Sequence, residues 1–210
     1  MMPYKSILCL NGDLPDSSFF VGNERIIAVD GAADKLLQMG IAPDVIIGDL
    51  DSIKQSHYSS SEVIHLPSQD QSDFQKSIDY LKQNKLLPTL VCGASGGFID
   101  HILFNINIIL ENECIFYAPP LIGYTLKGPV VLQFNFTKNT KISLLGIPKA
   151  KISTSGLKWE LKETSLEFPG FNSAFNRTIA ENISIQILEG AVLMLVYAEH
   201  IEDMGAICKN

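Results

Sequence analysis

The stretch PDVIIGDLDSI, Pro43 to Ile53, decides how the chain is read. Val45, Ile46 and Ile47 form a short apolar run that stops at Gly48, and Asp49 and Asp51 follow with one leucine between them. A short apolar run bounded by turn residues reads as a buried strand. Burying a carboxylate without a partner is costly, so the two aspartates either stand at a solvated strand end or hold something positive. Carboxylates at i and i+2 point the same way if the backbone is extended, and they repel each other unless a cation is near. Magnesium suits such a pair, because it takes one or two carboxylates together with waters and substrate phosphates.

Runs of the same kind recur through the first half: KSILCL, RIIAVD, EVIHL and TLVCGA, each ending near Gly, Asp or Pro. Helical patterns lie between them. AADKLLQMG closes on Gly40, a residue suited to a helix C-terminus. DFQKSIDYLKQN spaces Phe74, Ile78 and Leu81 for one helix face. IDHILFNINIILEN sets Ile102, Leu103, Ile106, Ile109 and Leu110 along one side. Strands alternating with helices predict a mostly parallel sheet with helices on its faces. Near residue 120 the pattern changes. PPLIGYTLKGP is followed by VVLQFNF, KISLLG, AKIST, LKWELK, TSLEF, ISIQILEG and AVLMLVYA, short runs separated by turn residues and without a helix. The expected architecture is an α/β domain over residues 1–122 and an all-β sandwich domain over residues 123–210.

The composition bounds the function. The chain has 210 residues, of which 46% are hydrophobic and 19% charged, an ordinary globular balance. A formal net charge of -7 argues against electrostatic binding to nucleic acid or to an anionic membrane. A phosphate ligand would then come with a divalent cation. Cys9, Cys92, Cys114 and Cys208 form no CxxC pair, which argues against a zinc site. The opening MMPYKSILCLNGD holds too short an apolar run for a signal peptide, and no stretch is long enough to span a membrane. A soluble cytoplasmic protein is expected.

Several carboxylates share one structural position. Asp30 ends RIIAVD ahead of Gly31, Asp49 and Asp51 follow the VII run, Asp70 and Asp73 open a helix, and Asp100 opens another after GASGGF. In a parallel α/β sheet, strand C-termini and helix N-termini lie on one edge, and ligands bind in the crevice there. Taken singly, Asp70, Asp73 and Asp100 also read as helix caps and Asp30 as a turn former. The glycine-rich GASGGFIDH sits between a strand and a helix, where backbone N–H groups can cradle a phosphate. It is neither a Walker loop nor GxGxxG. Asp100, His101 and Asn105 fall on the more polar side of the following helix.

Taken together, DGAADKLLQMGIAPDVIIGDLDSI, PSQDQSDFQKSIDYL, GASGGFIDHILFNI and SGLKWELKETSLEFPGFNSAFNR resemble the thiamine pyrophosphokinases in order and spacing, over nearly the whole chain. The resemblance implies an N-terminal α/β catalytic domain that binds ATP and magnesium, and a C-terminal β-sandwich that binds thiamine. It implies a homodimer with the thiamine site at the subunit interface. It also implies transfer of pyrophosphate from ATP to the hydroxyethyl oxygen of thiamine, leaving AMP. The family's metal and catalytic carboxylates fall on Asp49, Asp51, Asp73 and Asp100. Gln69, Asp70 and Ser72 match the polar residues around Asp73, and Lys76 falls on a frequent basic position of the same helix. Asn11, Gly12, Asp30 and Gly31 match the nucleotide-side turns, and His101 and Asn105 follow Asp100 on its helix. Ser173 and Asn176 match a motif that helps hold thiamine. Trp159 either reaches thiamine or fills the sandwich core, and either Asp73 or Asp100 can accept the hydroxyl proton.

Two positions depart from the pattern. Phe98 stands where many members carry an arginine that would touch phosphate, and Phe175 replaces a serine. Arg25 and Arg177 are the only arginines. Two further readings follow from these departures: a thiamine or nucleotide sensor without turnover, and a pyrophosphokinase for another hydroxylated heterocycle.

Overall fold

The computed structural model describes residues 4–22, 24–50, 60–112 and 114–198, together with the backbone of 207–209. The chain divides into two compact units, Met2–Ala118 and Pro119–Asn210.

The first unit is built on six parallel strands: β1 (Ser6–Cys9), β2 (Arg25–Val29), β3 (Val45–Gly48), β4 (Glu62–His65), β5 (Thr89–Cys92) and β6 (Cys114–Ala118). Their order across the sheet is β6-β5-β1-β2-β3-β4. Every residue of β1, β3 and β5 is buried. That is why these strands read as continuous apolar runs and not as alternating ones. The few polar groups at their start are paired: Ser6 Oγ donates to Thr89 Oγ1 at 2.9 Å, and Thr89 Oγ1 donates to the Ser6 carbonyl at 3.1 Å.

Three helices flank the sheet: α1 (Ala32–Gln38) against β2, α2 (Asp73–Gln83) against β3, and α3 (Ile99–Glu111) against β6. Gly40, at φ +78°, ends α1 as expected. Its N–H donates to the Leu37 carbonyl and that of Ile41 to Leu36, so two orphan carbonyls are satisfied. The cap of α2 is Ser72, neither of the two aspartates. Its hydroxyl accepts from the Gln75 N–H, and the Gln75 side chain accepts from the Ser72 N–H at 3.0 Å.

The chain lays down β1 to β4 outward on one side, then crosses back to place β5 and β6 on the other side of β1. The direction reverses between β1 and β5, which makes the crevice beyond their C-terminal ends the place where such sheets bind ligands.

Two elements differ from the sequence reading. β6 directly follows α3, and its five residues CIFYA are not among the expected strand runs. The expected apolar side of α3 does not bury as one face either. Ile108 and Ile109 are buried, whereas Phe98, Ile99, Leu103 and Phe104 are exposed.

The second unit is all-β among the described residues, with antiparallel pairing: β7 (Leu121–Lys127), β8 (Val130–Asn135), β9 (Lys141–Ser155), β10 (Thr164–Glu167), β11 (Ser173–Arg177), β12 (Asn182–Tyr197) and β13 (Ile207–Lys209). KISLLG and AKIST are one strand, β9, and ISIQILEG and AVLMLVYA are one strand, β12. These two pair from Ser184 opposite Ser155 to Val196 opposite Ile142, with register shifts on both sides of Glu189 and Gly190. The other edge of β12 holds β8 along Asn182–Ile187 and β7 along Ala191–Tyr197. Turn-like composition hid the continuity, because a bulge at Gly190, φ +79°, lets the strand bend without ending. LKWELK is not a strand. The carboxylate of Glu160 accepts from the N–H groups of Gly156 and Leu157 and folds this stretch into a turn.

Ile46 lies at the centre of the buried strand β3. Ile46→Ala is expected to lower unfolding free energy by about 2–5 kcal/mol in a denaturant titration.

Candidate active site

At the reversal point β1 and β5 leave the sheet side by side. The Leu10 N–H donates to the Cys92 carbonyl at 2.8 Å, Gly12 to Gly93 at 3.1 Å, and Asp13 to Ser95 at 2.8 Å. A Cβ on Gly12 would strike the carbonyls of Ser95 and Gly93, and one on Gly93, which has φ +74°, would strike that of Leu10. Only glycine fits such an approach. From α1, Lys35 Nζ donates to the carbonyls of Asn11 and Gly12, both at 2.8 Å, and so fixes the turn after β1. Lys35 was not singled out in the sequence. The signal was a lone cation in the first turns of a helix that directly follows a candidate site turn.

The two turns, the start of α2 and the start of α3 enclose a cleft of about 740 Å³. Of the expected site residues it gathers Asn11, Gly12, Ser72, Asp73, Asp100, His101 and Asn105. Gly31 adjoins it, since a Cβ there would lie 2.6 Å from Asn11 Nδ2, and Asp30 abuts Gly48. Asp30 has φ +44°, an uncommon conformation for a residue other than glycine and one that aspartate tolerates in turns.

Asp49 lies outside the cleft lining, and its Oδ2 accepts from Gln69 Nε2 at 3.2 Å. Asp70 accepts from Ser68 Oγ at 2.8 Å, two residues upstream. Asp100 lies in the first turn of α3 and accepts from the His101 N–H at 2.9 Å. Asn105 Nδ2 donates to the Ala94 carbonyl at 3.3 Å and ties α3 to the turn after β5. Asp51 lies outside the described residues. Lys76, which the resemblance sets on a frequent basic position of α2, does not line the cleft. It is 6% exposed, and its ammonium donates to Asp73 Oδ1 and to the Leu66 carbonyl, each at 2.9 Å.

Among the described residues, no three or more His, Cys, Asp or Glu side chains come together as a ready metal cage. Asp49, Asp73 and Asp100 are hard oxygen donors at strand and helix ends. Of these only Asp73 and Asp100 line the cleft, so the donors suit a magnesium ion that keeps waters and shares substrate oxygens better than one enclosed by protein. Cys9 and Cys92 face each other in register at the base of the site, and burial pushes both thiols far above their usual range. They are inert packing groups.

In the second unit the expected residues form a cluster of their own. Asn176, 1% exposed, is fully engaged. Its Oδ1 accepts from the N–H groups of Trp159 and Arg177, and its Nδ2 donates to the Trp159 carbonyl at 2.7 Å and to Ser173 Oγ at 3.1 Å. Asn176 therefore positions Trp159 and has no free donor or acceptor for a ligand in this arrangement. Trp159 does not fill the core. Its side chain is 54% exposed, with Lys158 Nζ 4.7 Å from the ring centroid. Phe175, at φ +59°, stands outward in a bulge of β11.

Two family models match this chain. The one described as thiamin pyrophosphokinase, catalytic domain, covers residues 18–116, and the one described as thiamin pyrophosphokinase, vitamin B1 binding domain, covers residues 131–192. The chain belongs to the thiamine pyrophosphokinase family. Among its relatives, thiamine pyrophosphokinase 2 of Arabidopsis thaliana is 29% identical over 69% of this chain and 61% of that protein. Thiamin pyrophosphokinase 1 of Caenorhabditis elegans is 27% identical over 76% of this chain and 74% of its own length. The chain thus spans about three fifths of the length of the Arabidopsis relative. The crystal structure of thiamine pyrophosphokinase from Bacillus subtilis superposes with a TM-score of 0.79 at 19% identity, covering 92% of this chain and 99% of that one, which shows a shared fold.

The chain has a single tryptophan, so the Asn176 clamp has a built-in reporter. Asn176→Ala leaves backbone groups around Trp159 unpaired. It is expected to cost about 1–3 kcal/mol of stability in denaturant and to shift Trp159 emission in the folded protein.

Proposed function

We propose that the chain is an ATP-dependent thiamine pyrophosphokinase that transfers pyrophosphate to the hydroxyethyl oxygen of thiamine and releases AMP. The observation that carries this reading is the cleft at the reversal point of a parallel sheet, lined by Asp73 and Asp100 together with the turns after β1 and β5. Family membership supports the same activity.

In this reading residues 1–122 form the catalytic domain and residues 123–210 a thiamine-binding sandwich folded around β9 and β12. Asn11, Gly12, Asp30 and Gly31 bind the nucleotide, with Gln69, Asp70 and Ser72 shaping the loop before α2. His101 and Asn105 orient groups along α3. Asp49, Asp51, Asp73 and Asp100 hold magnesium, which supplies charge neutralisation to the phosphates when bound. The proton of the thiamine hydroxyl goes to Asp73 or Asp100. Trp159 offers an exposed ring to a cationic heteroaromatic substrate, a contact worth about 0.5–2 kcal/mol, and Ser173 and Asn176 set its position. Exposed Phe98, Ile99, Leu103 and Phe104 support a homodimer in which a second copy covers α3, with the thiamine site at the interface. No helix among the described residues is long and apolar enough to cross a membrane.

Phe98 favours one rival. The residue is 80% exposed at the start of α3 and brings no charge to phosphate. A binding protein without turnover follows if that loss is decisive.

Incubation with thiamine, ATP and magnesium, followed by chromatography, is expected to give equal amounts of thiamine diphosphate and AMP. Thiamine binding with no AMP would favour the sensor, and product only from another hydroxylated heterocycle would change the acceptor. Chelation by EDTA is expected to abolish turnover and excess magnesium to restore it. Asp51→Asn and Asp73→Asn are each expected to lower kcat by about 100-fold or more with folding intact, as judged by circular dichroism.

A further inference from the structure

We propose that Lys76 is a positioning residue that sets the carboxylate of Asp73 at the cleft, and not a ligand of phosphate. The inference rests on the pyrophosphokinase reading of that cleft.

Lys76 sits one turn into α2, and Asp73 begins the helix. The ammonium lies 2.9 Å from Asp73 Oδ1 and 2.9 Å from the Leu66 carbonyl. Leu66 is the residue after β4, and its own N–H donates to the Gly48 carbonyl at 2.8 Å, immediately before Asp49. One cation therefore joins the N-terminus of α2 to the end of β4, and through it to the end of β3. An ammonium this deeply buried is tolerated only with a counter-charge and acceptors, and both are supplied from within.

The two side chains face different spaces. Asp73 lines the 740 Å³ cleft, whereas Lys76 lines a separate cavity of about 460 Å³ with Leu66, Asp79 and Tyr80. A phosphate in the cleft meets Asp73 and not the ammonium behind it. By holding Oδ1, Lys76 restricts the rotation of a carboxylate that lines the cleft. Active groups need this kind of support, since a displacement on the order of 1 Å can cost about 100-fold in rate.

A double-mutant cycle tests the inference with Lys76→Met, Asp73→Asn and the pair combined. Lys76→Met is expected to lower kcat by about 10- to 100-fold, with the thiamine KM within about twofold of wild type. In the Asp73→Asn background the same change is expected to cost less than about twofold, because its target is already gone. Thermal denaturation of the same four proteins is expected to show non-additive Tm losses. A merely structural lysine would lower Tm and leave kcat of the folded protein unchanged. Equal fold losses in both backgrounds, or a raised ATP KM at unchanged kcat, would overturn the proposal and make Lys76 an independent contact. A wild type that makes no thiamine diphosphate would instead remove the pyrophosphokinase reading. The denaturation cycle would still test the pair, and additive Tm losses would then refute it.

Discussion

Everything at the candidate site depends on two backbones passing each other without side chains. Gly12 and Gly93 let the chain leave β1 and β5 in contact, held by the bonds from Leu10 to Cys92, Gly12 to Gly93 and Asp13 to Ser95. Any Cβ at either point would drive the two turns apart. The cleft has its floor at this crossing, and its sides come from the start of α2 and the start of α3. The sheet order places both helix N-termini on the same edge, so carboxylates distant in sequence come to face one space.

The two units solve a common problem in one way. Each buries a polar side chain whose bonding capacity is turned inward to fix something exposed. In the first, Lys76 secures Asp73, and in the second, Asn176 secures Trp159. Buried polar groups that are fully satisfied add rigidity where an apolar residue would add only volume. The groups they support face outward: Asp73 into the cleft, Trp159 to solvent. The exposed apolar residues of α3 follow a different logic, because nothing among the described residues of the first unit covers them and a helix does not ordinarily leave Phe98, Ile99, Leu103 and Phe104 in water.

Much of this was legible because burial on both faces leaves a plain mark. The runs around Ile7, Ile27, Ile46 and Leu90 could be read as strands from composition alone, and each was bounded by turn residues. Gly40 announced the end of α1. Legibility failed where two signals overlapped or where bonding overrode pattern. CIFYA followed α3 too closely to be separated from it. Gly190 looked like a break between strands, but a bulge carries β12 through it. LKWELK alternates as a strand would, yet the Glu160 carboxylate turns it. At the site, residue types named the candidates, but roles depend on direction. Lys76 and Asn176 are both buried, with their side-chain bonds made inside the protein, which no spacing rule reveals. At the start of α2 two acids and Ser72 compete for one capping position, and only the bonds show that Ser72 takes it.

The order of the parallel sheet also has a consequence for how the molecule is made. Ser6 and Thr89 pair across the middle of the sheet although 83 residues separate them. On a ribosome, β1 can associate with β2, β3 and β4 as they emerge, but its other edge waits for β5. During that interval a strand that is fully buried in the finished sheet has an open edge, the kind of surface that recruits other chains. Within the first unit the seam between β1 and β5 therefore stays open until β5 has been made. Until that seam closes the turns after β1 and β5 do not cross, and the cleft that has its floor there does not exist.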